Sequence, residues 1–158
     1  MNLPNISLFI FTALFFMIAA QAGYFLTGYY KVLNNLPAEG FMLVRKGTDA
    51  AVRTNFKIFY ISGLLSGIVV LLFHKEQLGS ARGILLCLAV FLLLADLVLA
   101  KTVSEAINHT ISEHPVEQLV TMPGLQEKWL TMIFIRGSLS MAGFLLLVSA
   151  LVFTGNQS

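Results

Sequence analysis

Four long runs of apolar residues, each almost free of charge, divide the chain. No charged residue occurs from Met1 to Tyr30, and a second uncharged run extends from Ile58 to Phe73. A third covers Gly83 to Ala100, interrupted only by Asp96, and a fourth covers Trp129 to Phe153, interrupted only by Arg136. About 20 apolar residues cross a ~30 Å hydrocarbon core as a helix. The pattern therefore predicts spans at about 6–30, 54–73, 83–100 and 129–153, with Thr54 to Phe56 completing the second while Lys57 reaches back to the interface. The runs are continuous and do not alternate, so β-barrel strands are excluded.

Between the spans, the first connection reads as a helix. Pro37 suits the first turn after Asn34 and Asn35, and Phe41, Val44, Ala51 and Asn55 recur at helical spacing. His74 to Arg82 forms a short hairpin turning at Gly79-Ser80. In the third connection Val103, Ile107 and Ile111 form an apolar stripe up to Pro115, and Pro123-Gly124 marks a turn before the fourth span. The expected fold is all-α: one integral membrane four-helix bundle with two interfacial amphipathic helices.

Composition agrees with this class. Of 158 residues, 57% are hydrophobic and 11% charged, with a mean hydropathy of +0.82, against about 25% charged in soluble domains. One domain fills this length. A net charge of +2 is too small to suggest nucleic acid. The basic residues instead report topology, since Lys31, Arg45, Lys46, Arg53, Lys57, Lys101 and Lys128 all fall in the two long connections. The positive-inside rule then puts those connections in the cytoplasm and both termini outside, in a plasma or inner membrane. Ala20-Gln21-Ala22 has the small residues of a signal cleavage site, but no basic residue precedes Lys31, so the first run is expected to remain as a span.

Asp96 and Arg136 carry the candidate chemistry. An ionisable group at membrane depth costs several kcal/mol unless it meets a partner or water. Asp96 lies five residues before Lys101, roughly 7 Å from that interface, and Arg136 lies eight residues beyond Lys128, about 12 Å deep at the helical rise. They share one leaflet and can pair. Gln21 falls in the same leaflet, with Tyr24, Asn55 and Trp129 around the rim. The expected site is a polar pocket for a small amphiphilic or aromatic ligand, lined by Gln21, Tyr24, Asn55, Asp96, Trp129 and Arg136. The same two charges also admit a register-fixing ion pair without a ligand, or two side chains that snorkel to headgroups.

Other chemistry is poorly supported. Glu105 and His109, four apart with Glu113 and His114 nearby, fit a solvated helix face better than a metal site. The lone Cys87 lies in an apolar span, no GxSxG surrounds any serine, and no glycine-rich phosphate loop occurs. No metal or cofactor is expected. Gly63 and Gly67 form a GxxxG pair, Ala19/Gly23 and Ser138/Ala142 form small-xxx-small pairs, and these serve packing within the bundle or, for Gly63 and Gly67, a homodimer face.

Three short features carry a family resemblance: Leu36-Pro37-Ala38-Glu39-Gly40-Phe41 after a glycine-bearing first span, Ile107-Asn108 before a polar loop, and Trp129 with Arg136 seven residues on. Through them the chain resembles the anthrone-oxygenase-like, DoxX-related family of small four-helix membrane proteins. The family's usual His or Asn two or three residues before the arginine is replaced by Phe134 and Ile133. The resemblance implies cofactor-independent oxidation of a polyketide-type aromatic, which needs a general base near the substrate. Asp96 and His109 are the candidate catalytic residues. An accessory subunit of a larger membrane complex is the alternative. A small multidrug-type transporter is disfavoured, because the first span has no acidic residue and Gln21 cannot exchange a proton.

Overall fold

The computed structural model describes residues 2–113 and 122–152; His114, Pro115 and Phe153 lie outside this set. Four helices account for the architecture: α1 (Leu3–Asn34), α2 (Ala38–Phe73), α3 (Ala81–Glu113) and α4 (Met122–Val152). All four are long and apolar enough to cross a membrane, and no strand occurs among the described residues. Each helix packs against its neighbours in sequence, and α4 closes the ring against α1, leaving α1 and α3 diagonal.

The helices outrun the hydrophobic runs that predicted them. Among the described residues neither long connection holds a separate interfacial helix: residues 38–57 continue unbroken into the second span, and residues 105–113 prolong the third. Charge does not end a helix, because Lys, Arg and Glu are good helix formers. Pro37 separates α1 from α2, having no N–H to donate and disfavouring helix at Leu36. Pro123 does not mark a turn, as its pairing with Gly124 suggests, but lies in the first turn of α4, where its missing N–H has no partner to lose. At 36 residues, α2 is about 54 Å long, well beyond a ~30 Å core.

Local chemistry sets the ends. Asn2 caps α1, its side chain accepting from the Asn5 N–H at 3.2 Å. After a single 3-10 turn at Lys75–Gln77, Ser80 caps α3, accepting from the Gly83 N–H at 3.1 Å and donating to the Gln77 carbonyl at 2.6 Å.

Two apolar clusters hold the bundle. One, at the hairpin end, includes Phe11, Phe15, Ile18, Val70, Leu86, Leu93 and Leu147. The other, at the end of the long connections, includes Phe25, Leu33, Phe41, Ile111, Met122, Trp129 and Leu130. Outside, residues such as Phe9, Phe16, Leu65, Phe91, Phe134 and Leu145 are exposed. An apolar surface this wide suits lipid contact rather than water.

Small residues provide the close approaches, though not all those expected. Gly63 and Gly67 are buried against this chain's own α1 and α3: a Cβ on Gly67 would lie 2.9 Å from Phe11 and 3.0 Å from Val90. Their face is thus used for packing within the bundle. In α4, Ser138 and Ala142 are exposed. The tight contact there is made by Gly143, whose Cβ would meet Phe15 at 2.7 Å, because the buried face runs through Gly137, Ser140 and Gly143 instead.

Both long-connection ends contain a π-helical turn, Phe25–Tyr29 in α1 and Ala100–Ser104 in α3. Such a turn adds one residue to the helical cycle, rotating the residues beyond it by about 100° relative to an uninterrupted α-helix. Asp96 and Ser104, eight residues apart and about 80° out of phase in a regular helix, are consequently both buried on one face. The same displacement lets Phe25 and Leu33 share one cluster.

Candidate functional site

A cavity of about 660 Å³ separates the two apolar clusters, walled by all four helices. At its hairpin-side end lies Asp96, fully buried. Its carboxylate accepts from Arg136 Nε at 2.6 Å through Oδ1, and from the Tyr60 hydroxyl and the Ser140 hydroxyl, each at 2.5 Å, through Oδ2. The Arg136 guanidinium also donates from Nη2 to the Tyr60 hydroxyl at 3.2 Å and from Nη1 to the Ser104 hydroxyl at 3.3 Å. The sequence expectation that Asp96 and Arg136 pair across adjacent helices is met, and neither snorkels outward: the Arg136 side chain is only 15% exposed.

Three helices hold this group together. Tyr60 projects from α2 on the face that carries Gly63 and Gly67, Asp96 and Ser104 come from α3, and Arg136 and Ser140, four apart, share one face of α4. Three donors from two other helices occupy most of the carboxylate's roughly four acceptor positions. A buried charge pair satisfied in this way is a demanding geometric condition on the helices that supply it.

A second polar group lies at the opposite end. Arg45, only 8% exposed, stacks on Trp129 with its guanidinium carbon 4.3 Å from the ring centroid. Asn108 joins the two, its side-chain oxygen accepting from Arg45 Nη2 at 3.0 Å and from Trp129 Nε1 at 2.9 Å. Phe25 and Phe41 pack edge-on against Trp129, fixing its plane. Gln126 closes this end by donating to the carbonyls of Leu33 and Leu36 at 2.8 and 3.3 Å.

Charge along the cavity is unequal. Arg45, Arg53, Lys57, Lys101 and Arg136 contribute to the wall, against Asp49, Asp96 and Glu105. Arg136 pairs with Asp96, Lys101 with Glu105 at 2.7 Å, and Arg53 with Asp49. Arg53, Lys57, Lys101 and Glu105 are exposed and belong to α2 and α3, so one mouth opens between those helices. Gln21 and Tyr24 of α1 also line the cavity and are exposed.

Of the residues named from sequence, Gln21, Tyr24, Asp96, Trp129 and Arg136 all line this cavity, and Tyr24 stacks on Tyr29 with centroids 5.2 Å apart. Asn55 does not line it. The buried face of α2 runs through Phe41, Arg45, Val52, Phe56 and Tyr60, which turns Ala51 and Asn55 outward. His109 is also outside the cavity, pairing on an exposed surface with Glu113 at 3.2 Å, side chains 70% and 69% exposed. A general base there could not reach a ligand in the cavity. Glu105 is engaged by Lys101, and among the described residues no group of three or more metal-ligating side chains comes together.

Sequence reasoning missed Tyr60, Ser140, Ser104, Arg45 and Asn108 as site residues. Tyr60 was legible in principle, standing three and seven residues before two glycines that face inward. Ser104 was not, because only the π-helical turn brings it around to Arg136. No protein-family model, no characterised protein and no solved structure matches the chain.

Proposed function

We propose that this chain is an integral membrane protein of a plasma or inner membrane, with both termini outside, whose four helices enclose a binding pocket for a small amphiphile. The observation that carries this reading is the cavity itself. It lies between two close-packed apolar clusters, its size falls in the ~300–1,000 Å³ range of small-molecule sites, and its mostly apolar wall ends in two convergent polar groups. A register-fixing ion pair alone needs no such space, since helices without a ligand gain by packing closed around it.

Binding is better supported than proton abstraction. The cofactor-independent oxidation implied by resemblance to the anthrone-oxygenase-like family requires a base free to accept a proton. Among the described residues Asp96 is the one carboxylate at the buried end, and it already accepts three hydrogen bonds, one from a guanidinium. With about four acceptor positions in all, such a carboxylate presents little lone-pair density to a substrate.

The test is to purify the protein in a mild detergent and extract it for small molecules by mass spectrometry, beside a Val52→Trp variant. Val52 lines the cavity from α2, and an indole there fills part of the space. A co-purifying amphiphile that is lost in Val52→Trp, with helicity retained, is the expected result. Absence of any bound molecule, together with isolation only alongside other subunits, would favour the accessory-subunit reading.

A further inference from the structure

We infer that the pocket's occupant carries an anionic head, a carboxylate or a phosphate on an apolar body, and that Arg45 receives it. This deepens the binding reading above and rests on it. The three carboxylates of the wall each have a close cationic partner, and those partners are Arg136, Lys101 and Arg53. Lys57 is left over, and Arg45 has only a looser share of Asp49, at 3.7 Å. Lys57 has no ion-pair partner among the described residues and stands exposed at the mouth, where water solvates it. Arg45 has no such recourse, being more than nine-tenths buried.

Its surroundings satisfy the guanidinium only in part. Nη2 donates to the neutral Asn108 oxygen and stands 3.7 Å from Asp49 Oδ1, beyond hydrogen-bond distance, while Arg53 holds Asp49 Oδ2. Nε is buried without a hydrogen-bond partner, and Nη1 forms no hydrogen bond among the described residues. A buried cation with spare donors is costly unless an anion completes it. Arg45 and Asn108 both line the cavity, so an anion in the cavity reaches the guanidinium directly. Trp129 holds the guanidinium plane from one side, leaving its edge to present the planar donor fork that suits carboxylate and phosphate oxygens.

The remainder of the wall matches such a ligand. Arg53, Lys57 and Lys101 at the α2/α3 mouth draw an anion inward, while Ile18, Ala22, Phe25, Phe56 and Ile133 offer an apolar bed for its body. The Asp96 end presents a charge pair already closed on itself and competes little for the head.

Dodecanoate and dodecanol are the probes, titrated by calorimetry into the protein in a nonionic detergent. Dodecanoate is expected to bind at least about tenfold more tightly than the uncharged alcohol, as one charge-assisted hydrogen bond provides. Arg45→Gln keeps a donor for Asn108 while removing the charge, and it should bring the ratio of dodecanoate to dodecanol affinity down to about one; a ratio unchanged from the native protein overturns the role of Arg45. Lys75→Gln, on the hairpin outside the cavity, should change neither affinity. Displacement of dodecanoate by phosphatidylglycerol would identify a lipid headgroup as the source of the anion, and failure of phosphatidylglycerol to compete would identify a free organic acid. Equal affinity for acid and alcohol in the native protein overturns the anionic inference and leaves the pocket standing, with no variant required. Binding of neither probe nor phosphatidylglycerol overturns both.

Discussion

Asp96→Asn is expected to be the most damaging single substitution in the bundle. It leaves the Tyr60 and Ser140 hydroxyls an amide oxygen to bond, but strips the Arg136 guanidinium of its counter-charge in a site 15% exposed on one side and fully buried on the other. Removing one member of a buried ion pair costs about 3–5 kcal/mol, because the survivor stays charged and desolvated. Arg136→Met should cost a similar amount by stranding the carboxylate. The double variant Asp96→Asn/Arg136→Met should recover most of the loss, since no bare charge remains. Thermal unfolding in detergent, followed by Trp129 fluorescence, provides the comparison. Single variants within about 1 kcal/mol of the native protein would mean that water reaches the pair and that it does not hold three helices in place. Loss of stability with and without bound amphiphile identifies the structural share of the pair's role, while a further loss of ligand affinity in the folded double variant identifies the binding share.

The second large effect is expected far from the cavity, at Gly83→Ala. A methyl group there would lie 2.1 Å from the Gln77 carbonyl oxygen and 2.5 Å from the Leu78 Cα. Both are backbone atoms, so no rotamer change relieves the overlap. Accommodating it requires the hairpin to open, which forfeits the Ser80 cap and the Ser80 N–H to Gln77 carbonyl bond of 2.9 Å. Overpacking of this kind costs about 3 kcal/mol. Gly79 is the internal control, four residues away, with nothing within 4 Å of its would-be Cβ and no positive φ among the chain's described glycines. Gly79→Ala should stay within about 0.5 kcal/mol of the native protein. Equal effects at the two positions, measured by the same unfolding assay, would contradict the hairpin geometry.

Which of these features are readable in the sequence depends on which forces act locally. The four helices were legible because uninterrupted apolar runs have few other uses, and Asp96 stood opposite Arg136 on simple counting of the helical rise. What escaped depended on phase. On α2, Ala51 looked like an inward residue and Arg45 like a solvated one, yet the buried face carries Arg45 and leaves Ala51 and Asn55 outside. A polarity pattern cannot find a face that is itself partly charged, because burial of Arg45 is supported by Trp129 and Asn108, residues 84 and 63 positions away in sequence. His109 shows the converse: its helical spacing to Glu105 was read correctly, but Glu105 stands at the cavity mouth while His109, one turn further on, lies outside the cavity on an exposed surface. Ser104 depended on the π-helical turn, a backbone irregularity for which no residue type is diagnostic.

The unbroken course of α2 from Ala38 to Phe73 makes that helix a molecular ruler. It holds Arg45 and Tyr60 fifteen residues apart, about 22 Å along one rod, and so sets the distance between the polar groups that bound the cavity. One residue inserted between them would swing one group by about 100° relative to the other, detaching either Trp129 and Asn108 or Asp96 from its partner. Substitutions along this stretch can reshape the wall of the chamber, but its length is written into the residue count, and lineages of this protein should exchange side chains there far more freely than they gain or lose positions.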